Sequence, residues 1–209
     1  MCIFILGLCI GLLLNVCINK TVEEKVLIDK NKYFILGCIN AISYSGLYHL
    51  YGLGFYMIKY CIFLSIMLVI ATIDLMTKDI YFRVSILGLA SAFMLDLYEY
   101  FILGQGVKGY IYGVILVLCI FWVMSKILRV MGDGDIEVAV ICAAFLGGRY
   151  TLLTMISAII VGGIVGIALI VSRNKGGRDE MAFIPYLLIG SYIAIFAGEF
   201  IIDWYLKSC

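Results

Sequence analysis

Apolar runs of about 18 to 25 residues recur along this chain from end to end, and they restrict its fold more than any other feature. At about 1.5 Å per residue, a helix of that length crosses a hydrocarbon core about 30 Å thick. Hydrophobic residues make up 65% of the sequence and charged residues 14%. Soluble domains hold about 45–50% and about 25% of these residues. The chain is therefore expected to be a membrane protein.

Helices are the expected element, because backbone groups in lipid must be hydrogen-bonded within their own segment. The long runs suit helices better than the short alternating strands of a barrel. We predict an all-α fold, a polytopic membrane helical bundle that forms a single domain over residues 1–209. Its eight predicted transmembrane helices cover residues 2–19, 33–50, 55–76, 84–103, 107–130, 136–150, 151–171 and 182–206.

The placement of the basic residues predicts the orientation of the chain, since short cytoplasmic loops are enriched in Lys and Arg. With the N-terminus outside, all but four of the 15 basic residues fall on the cytoplasmic side. The four exceptions are Lys59, Lys108, Arg149 and Lys207. Both termini are then expected outside. The net charge of +1 gives no indication of a nucleic-acid partner.

Small residues and cysteines add two further expectations. Glycine pairs spaced four residues apart permit close approach of helix backbones; they are Gly7/Gly11, Gly109/Gly113 and Gly162/Gly166. The 8 cysteines include no CxxC pair, and most lie inside apolar runs. Reduced thiols, without zinc or disulfides, are expected.

Asp74 is the clearest candidate for chemistry. It ends the apolar run SIMLVIATID, about one turn inside the cytoplasmic end of the third predicted helix. An ionisable group at this depth is expensive to bury and requires a functional or a positional explanation. Taken alone, Asp74 is equally compatible with a carboxylate that pairs helices or reaches the interface.

A second acidic segment, MGDGDI, lies between the fifth and sixth predicted helices. Gly132 and Gly134 on either side of Asp133 let the backbone turn tightly at the membrane surface, so that Asp135 is presented at the start of the next helix. The alternative is an ordinary turn with an N-capping aspartate, because Gly and Asp are common turn residues.

The predicted topology puts Asp74 and Asp135 at the same depth, just inside the cytoplasmic face. Two carboxylates that converge in a partly dry site share one proton, as an aspartic protease requires. One activates water while the other protonates the carbonyl oxygen or the leaving amine. The alternative is a proton-coupled transporter or channel component that uses the same carboxylates, although its charges would lie more naturally near the bilayer midplane.

Four segments, in order, resemble the signature segments of the type IV prepilin peptidases, which are membrane aspartic peptidases of the GxGD type. The resemblance runs from about residue 7 to about residue 190. The first segment, GLLLNV at 11–16 with Lys20, is similar to G-S-F-L-N-V followed by a basic residue, and the second, Ile73-Asp74-Leu75 with Ile80 and Arg83, is similar to I-D-L-x4-I-P-x-R. The third, residues 132–135, matches GxGD, and the fourth, MAFIPYL at 181–187, is similar to I-P-F-x-P-F-L.

The resemblance implies an aspartic endopeptidase that cleaves the leader peptide of type IV prepilin or pseudopilin precursors at the cytoplasmic face of a bacterial cell membrane. Asp74 and Asp135 would be catalytic. Supporting or site-shaping residues would be Gly132, Gly134, Asp133 and Pro185. No metal, cofactor or nucleic acid is implied, and the partners would be the precursor protein and the lipid bilayer.

Departures from the family pattern matter for the site. Tyr81 replaces the usual Pro, Met181-Ala182 replaces the first I-P, and Glu137 replaces the usual Lys of GxGDxK. The loop from Lys20 to Lys32 has about thirteen residues and no Cys, whereas two-function members carry two CxxC pairs there, associated with metal binding and methylation. Methyltransferase activity is therefore not expected.

The remaining acidic residues near the outer helix ends are interpreted as solvated at the membrane interface. They are Asp96, Glu99, Glu199 and Asp203.

Overall fold

The computed structural model describes residues 2–21, 30–128, 133–172 and 182–208. Within these ranges the chain forms seven helical elements and no strand, so the all-α prediction is confirmed. The elements are α1 (Cys2–Thr21), α2 (Lys30–Tyr51), α3 (Phe55–Thr77), α4 (Phe82–Phe101), α5 (Lys108–Leu128), α6 (Asp133–Val171) and α7 (Ile184–Ser208). The predicted count of eight transmembrane helices is not confirmed.

Four of the helices in the described ranges are long and apolar enough to span a membrane, judged by length and composition. They are α3, α4, α6 and α7. Shorter apolar stretches lie in α1, over Cys2–Val16, and in α5, over Lys108–Phe121. A chain with several such helices is a multi-pass membrane protein.

The chain divides into two compact units, residues 1–88 and residues 89–209. Each is described by itself, and the single domain over residues 1–209 stays a prediction. In the first unit, α1 lies directly against α2: a Cβ built on Gly7 would lie 2.8 Å from the Cα of Ala41, and one on Gly11 would lie 2.8 Å from the Cα of Gly37. Because side chains cannot approach a backbone so closely, the glycines permit this contact, as predicted.

A buried polar network joins α1, α2 and α3 in the first unit. The side-chain amide of Asn40 donates to the carbonyl of Gly7 at 3.1 Å, and the Ser65 hydroxyl donates to Asn40 Oδ1 at 3.1 Å. The Tyr44 hydroxyl lies 3.0 Å from Ser65 Oγ. Hydrogen bonds between helices are an important source of cohesion in a membrane, where apolar helices gain little by leaving lipid.

In the second unit, α6 is a helical hairpin rather than one straight helix. Gly147 has φ 73° and ψ 170°, which interrupts the helix. Met155, which follows the interruption, packs in the same cluster as Ala139, which precedes it. On a straight helix those two residues would be about 24 Å apart. The chain therefore reverses at Gly147, close to the predicted boundary between the sixth and seventh transmembrane helices.

Glycines and one hydroxyl make this reversal possible. Gly147 adopts a positive φ that side-chain-bearing residues rarely take. A Cβ on Gly113 of α5 would lie 2.7 Å from the backbone nitrogen of Gly148, so α5 packs directly against the reversal. The Thr151 hydroxyl donates to the carbonyl of Gly147 at 2.6 Å, which gives this oxygen a hydrogen bond where the helix is interrupted.

The second segment of α6 runs antiparallel to α7. Three glycines let the two helices approach: Gly162 contacts Tyr186, Gly190 contacts Thr154, and Gly198 contacts Tyr150. Along these contacts the residue numbers fall on α6 while they rise on α7, so the two helices run antiparallel. The end of α7 therefore lies beside the Gly147 reversal.

Candidate active site

Asp74 lies in the last turn of α3 and is only 5% exposed. The helix ends one turn later, where Lys78 takes a left-handed conformation with φ 56°. The Lys78 backbone N–H donates to the Asp74 carbonyl at 2.9 Å, which caps the helix. The predicted position of Asp74, one turn inside the end of its helix, agrees with this geometry.

An apolar cluster surrounds this end of α3. Ile73 and Val69 of α3 are buried together with Ile18 of α1, and Tyr81 and Val84 pack against them. On the other side of the helix end, the turn toward α4 is polar and exposed, with the Asp79 N–H bonded to Thr77 Oγ1 at 3.2 Å. Asp74 therefore lies where an apolar cluster meets a polar, exposed turn.

Asp135 lies in the first turn of α6, which begins at Asp133. The helix starts three residues before the predicted boundary, so Asp135 belongs to the helix rather than preceding it. Its side chain is half-buried. The first turn of a helix has N–H groups without intrahelical acceptors and a partial positive charge. This position stabilises the ionised form of an aspartate.

The other predicted site residues are described to different extents. Gly134 lies in the first turn of α6, whereas Gly132 and the side chain of Asp133 lie outside the described residues. Pro185 is the second residue of α7 and is half-buried. Proline suits the first turn of a helix because its missing N–H would have no intrahelical acceptor there.

Asp74 belongs to the first unit and Asp135 to the second. Their convergence into one site stays a prediction. Within its own unit, each aspartate lies near a helix end, and neither lies in the middle of a helix.

A large apolar groove lies in the second unit, on the same segment of α6 as Asp135. Its volume is about 630 Å³, and residues of α4, α5 and α6 line it. The α6 contribution is Val140 and Ala144. Val140 follows Asp135 by about 7.5 Å along the helix axis. Along the axis the groove thus begins about one and a half helical turns from the carboxylate, and at about 100° per residue Val140 lies about 140° around α6 from Asp135.

Glu99 corrects one expectation from the sequence. It was predicted to be solvated at the interface, but its side chain is only 3% exposed. The Tyr110 hydroxyl lies 2.9 and 3.1 Å from the two carboxylate oxygens of Glu99, so it is positioned to donate to either. This partner comes from the next helix, and no pattern in the sequence around Glu99 indicates it. The prediction for Glu99 was wrong because a tertiary contact replaces water.

Lys59 is a second ionisable residue whose burial was not predicted. It lies in α3 and is fully buried. Its ammonium nitrogen lies 6.0 Å from the centre of the Phe55 ring, at the limit of a cation–π contact. The predicted topology puts Lys59 on the outer side, where a side chain at the water interface would be solvated; the structure buries it instead.

Comparison with known proteins links this geometry to a family. The family of type IV leader peptidases matches residues 61–167. A prepilin leader peptidase/N-methyltransferase of Aeromonas salmonicida is 32% identical over 108 residues, covering 51% of this chain and 37% of that protein. The protein of the same name from Pseudomonas aeruginosa is 28% identical over 107 residues, covering 50% of this chain and 37% of that protein.

A more distant relative shares the same name. The prepilin leader peptidase/N-methyltransferase of Bacillus subtilis is 26% identical over 77 residues, covering 37% of this chain and 31% of that protein. The chain thus spans about a third of the length of the curated relatives it matches. No solved structure matches it.

Proposed function

This chain belongs to the type IV leader peptidase family, and from that premise we propose that it is an aspartic endopeptidase that removes the leader of prepilin or pseudopilin precursors. One observation carries the proposal: the family match over residues 61–167 includes both Asp74 and Asp135. The two carboxylates predicted from local sequence patterns therefore fall inside the segment that the family shares.

In the proposed reaction, one aspartate is ionised and the other is protonated. The ionised carboxylate takes a proton from water as its oxygen attacks the scissile carbonyl carbon, and the protonated carboxyl donates to the carbonyl oxygen. The tetrahedral intermediate then breaks its C–N bond, and a proton passes to the leaving amine. The first turn of α6 favours Asp135 as the ionised member, because the helix N-terminus stabilises negative charge.

The length of the first α6 segment supports cleavage close to the membrane. Residues 133–146 form a helix about 21 Å long, which is shorter than a hydrocarbon core about 30 Å thick. With the Gly147 reversal at the outer interface, Asp135 lies about 18 Å below it. We therefore place the scissile bond within the membrane boundary on the cytoplasmic side.

We assign the apolar groove to the hydrophobic helix of the substrate. A leader peptide that ends at the start of a membrane helix requires the helix to continue along the enzyme from the point of cleavage. The groove begins at Val140, about 7.5 Å along α6 from Asp135, and extends away from it past Ala144. Apart from Asp96, its lining is apolar or aromatic and matches the side chains of a membrane-spanning substrate.

The proposed location is the bacterial cytoplasmic membrane, with both termini outside and the site facing the cytoplasm. The distribution of Lys and Arg supports this orientation. A transporter that uses the same carboxylates remains the alternative from another class. We favour the peptidase because the family match over residues 61–167 includes both Asp74 and Asp135.

A cleavage assay tests the proposed function. The purified chain, reconstituted in lipid vesicles, is incubated with a prepilin precursor that carries its leader. We expect a shorter product whose new N-terminus lies at the start of the hydrophobic helix. An unchanged precursor, together with proton flux across the vesicle membrane, would favour the transporter and contradict the proposal.

A further inference from the structure

A polar pocket lies at the opposite end of the second unit from Asp135. Its volume is about 240 Å³, and its lining comes from Arg149 and Tyr150 of α6 and from Glu199, Ile202 and Asp203 of α7. Arg149 and Tyr150 follow the Gly147 reversal directly, and the antiparallel register brings the end of α7 beside them.

The charged groups of this pocket are not joined in ion pairs among the described residues. The Tyr150 ring rests on Gly198, and its hydroxyl and the Glu199 carboxylate line the same pocket. Among the residues that the structure describes, no ion pair joins the Arg149 guanidinium to Glu199 or to Asp203. The pocket therefore presents one cationic group and two anionic groups to an occupant that could contact both.

Exposed aromatic residues beside the pocket indicate its depth in the membrane. Trp204 and Tyr205, next to Asp203 on α7, are 65% and 63% exposed. Trp and Tyr concentrate where lipid headgroups meet the hydrocarbon core. Phe200, on the adjoining part of α7 toward the bilayer interior, is 76% exposed. The pocket thus lies at headgroup level, with exposed apolar surface directly below it.

We propose that this pocket binds the headgroup of an aminophospholipid such as phosphatidylethanolamine. The guanidinium of Arg149 would donate hydrogen bonds to the lipid phosphate, as arginine commonly does with phosphate oxygens. The ammonium group would lie between the carboxylates of Glu199 and Asp203. A phosphate without an ammonium group would be repelled by these two carboxylates, and a quaternary ammonium could not donate hydrogen bonds to them, so the pocket selects a primary ammonium beside the phosphate. The acyl chains would follow the exposed face of α7 past Phe200.

Native mass spectrometry of the full chain in detergent tests this assignment. The added lipids are phosphatidylethanolamine, phosphatidylcholine and phosphatidylglycerol with identical acyl chains. The wild-type chain should bind phosphatidylethanolamine about tenfold better than the other two, because only its headgroup offers both phosphate and N–H donors. Equal binding of the three lipids by the wild-type chain would overturn the proposal without recourse to any variant.

Substitutions then assign the contacts. Arg149→Gln should lower binding of phosphatidylethanolamine about tenfold, and Glu199→Gln with Asp203→Asn should remove its advantage over phosphatidylglycerol. Lys108→Gln is the matched control, since Lys108 is an exposed basic residue of the same unit outside the pocket. It should leave lipid preference unchanged. Wild-type-like binding by the Arg149 or the carboxylate variants would refute the assignment.

A soluble headgroup distinguishes a lipid from a free metabolite. Glycerophosphoethanolamine should compete weakly with phosphatidylethanolamine, because it offers the same charges without the acyl chains. A pocket that binds the soluble compound but not the lipid would disprove the lipid assignment. Competition in proportion to concentration, at a lower affinity than the lipid, supports it.

Discussion

The backbone N–H of Lys78 donates to the carbonyl of Asp74 at 2.9 Å, so helix α3 ends one turn after the buried aspartate. This cap holds Asp74 at a helix C-terminus, whereas Asp135 lies in the first turn of α6. One proposed catalytic carboxylate therefore lies at the negative end of its helix dipole and the other at the positive end of a different helix, which should affect which of the two is ionised.

Both aspartates should be indispensable. Asp74→Asn and Asp135→Asn should each reduce cleavage of a prepilin precursor to background, since an amide cannot exchange the proton that the reaction requires. Membrane insertion should be preserved. Asp79→Asn is the matched control for Asp74, because Asp79 is exposed in the turn that follows α3. Asp133→Asn, within the GxGD segment, should reduce cleavage much less than Asp135→Asn. Near-wild-type turnover by either catalytic variant would exclude that residue from the mechanism.

The charge of the pair should reside mainly on Asp135. The positive end of α6 stabilises the ionised form there, while the negative end of α3 disfavours it at Asp74. Infrared spectra at the pH of activity should lose a carboxylate band in Asp135→Asn and a protonated carboxyl band in Asp74→Asn. Since the two groups titrate together, only the macroscopic transitions are measurable. The reverse pattern of band loss would assign the charge to Asp74.

The chain should cleave its substrate without metal and without methylating the product. The loop from Lys20 to Lys32 has no Cys, and a structural zinc site requires about four Cys or His ligands. Chelators should leave activity intact. Mass spectrometry of a substrate processed in the presence of S-adenosylmethionine should show an unmodified new N-terminus. An added methyl group would contradict the second expectation, and zinc in the purified chain would contradict the first.

Filling the groove should weaken substrate binding. Ala144→Trp places a large ring in the volume assigned to the substrate helix and should raise KM about tenfold or more with little change in kcat, because the site of chemistry is untouched. Ala168→Trp is the control, since Ala168 is exposed on α6 outside the groove. An unchanged KM in the Ala144 variant would remove the groove from the proposed mechanism while leaving the catalytic assignment intact.

Two glycines of α5 should respond in opposite ways to alanine. Gly113→Ala introduces a methyl group 2.7 Å from the backbone nitrogen of Gly148 and should destabilise the second unit by about 1–3 kcal/mol. Gly109→Ala meets nothing within 4 Å and should be neutral or slightly stabilising, because alanine favours the helix. Thermal unfolding in detergent compares them. Equal melting temperatures of the two variants would show that α5 can move away from Gly148 without loss of stability.

The sequence predicted what depends on local patterns. Asp74 was found because it ends an apolar run, and the reversal near residue 150 because two apolar runs meet there. The hydrogen bonds between helices were not predictable, since the bond from Asn40 to Gly7 and the bond from Tyr110 to Glu99 join residues of different helices. Gly147 itself was missed, because a glycine in an apolar run gives no sign of the conformation it will adopt.

We expect the short first arm of the α6 hairpin to affect the lipid around it. An arm about 21 Å long cannot match a hydrocarbon layer about 30 Å thick. Hydrophobic mismatch of this size is relieved when the bilayer thins locally or water enters beside the helix, at a modest cost per ångström. Since peptide hydrolysis consumes water, a local dimple beside Asp135 would supply the reagent that an undisturbed bilayer excludes.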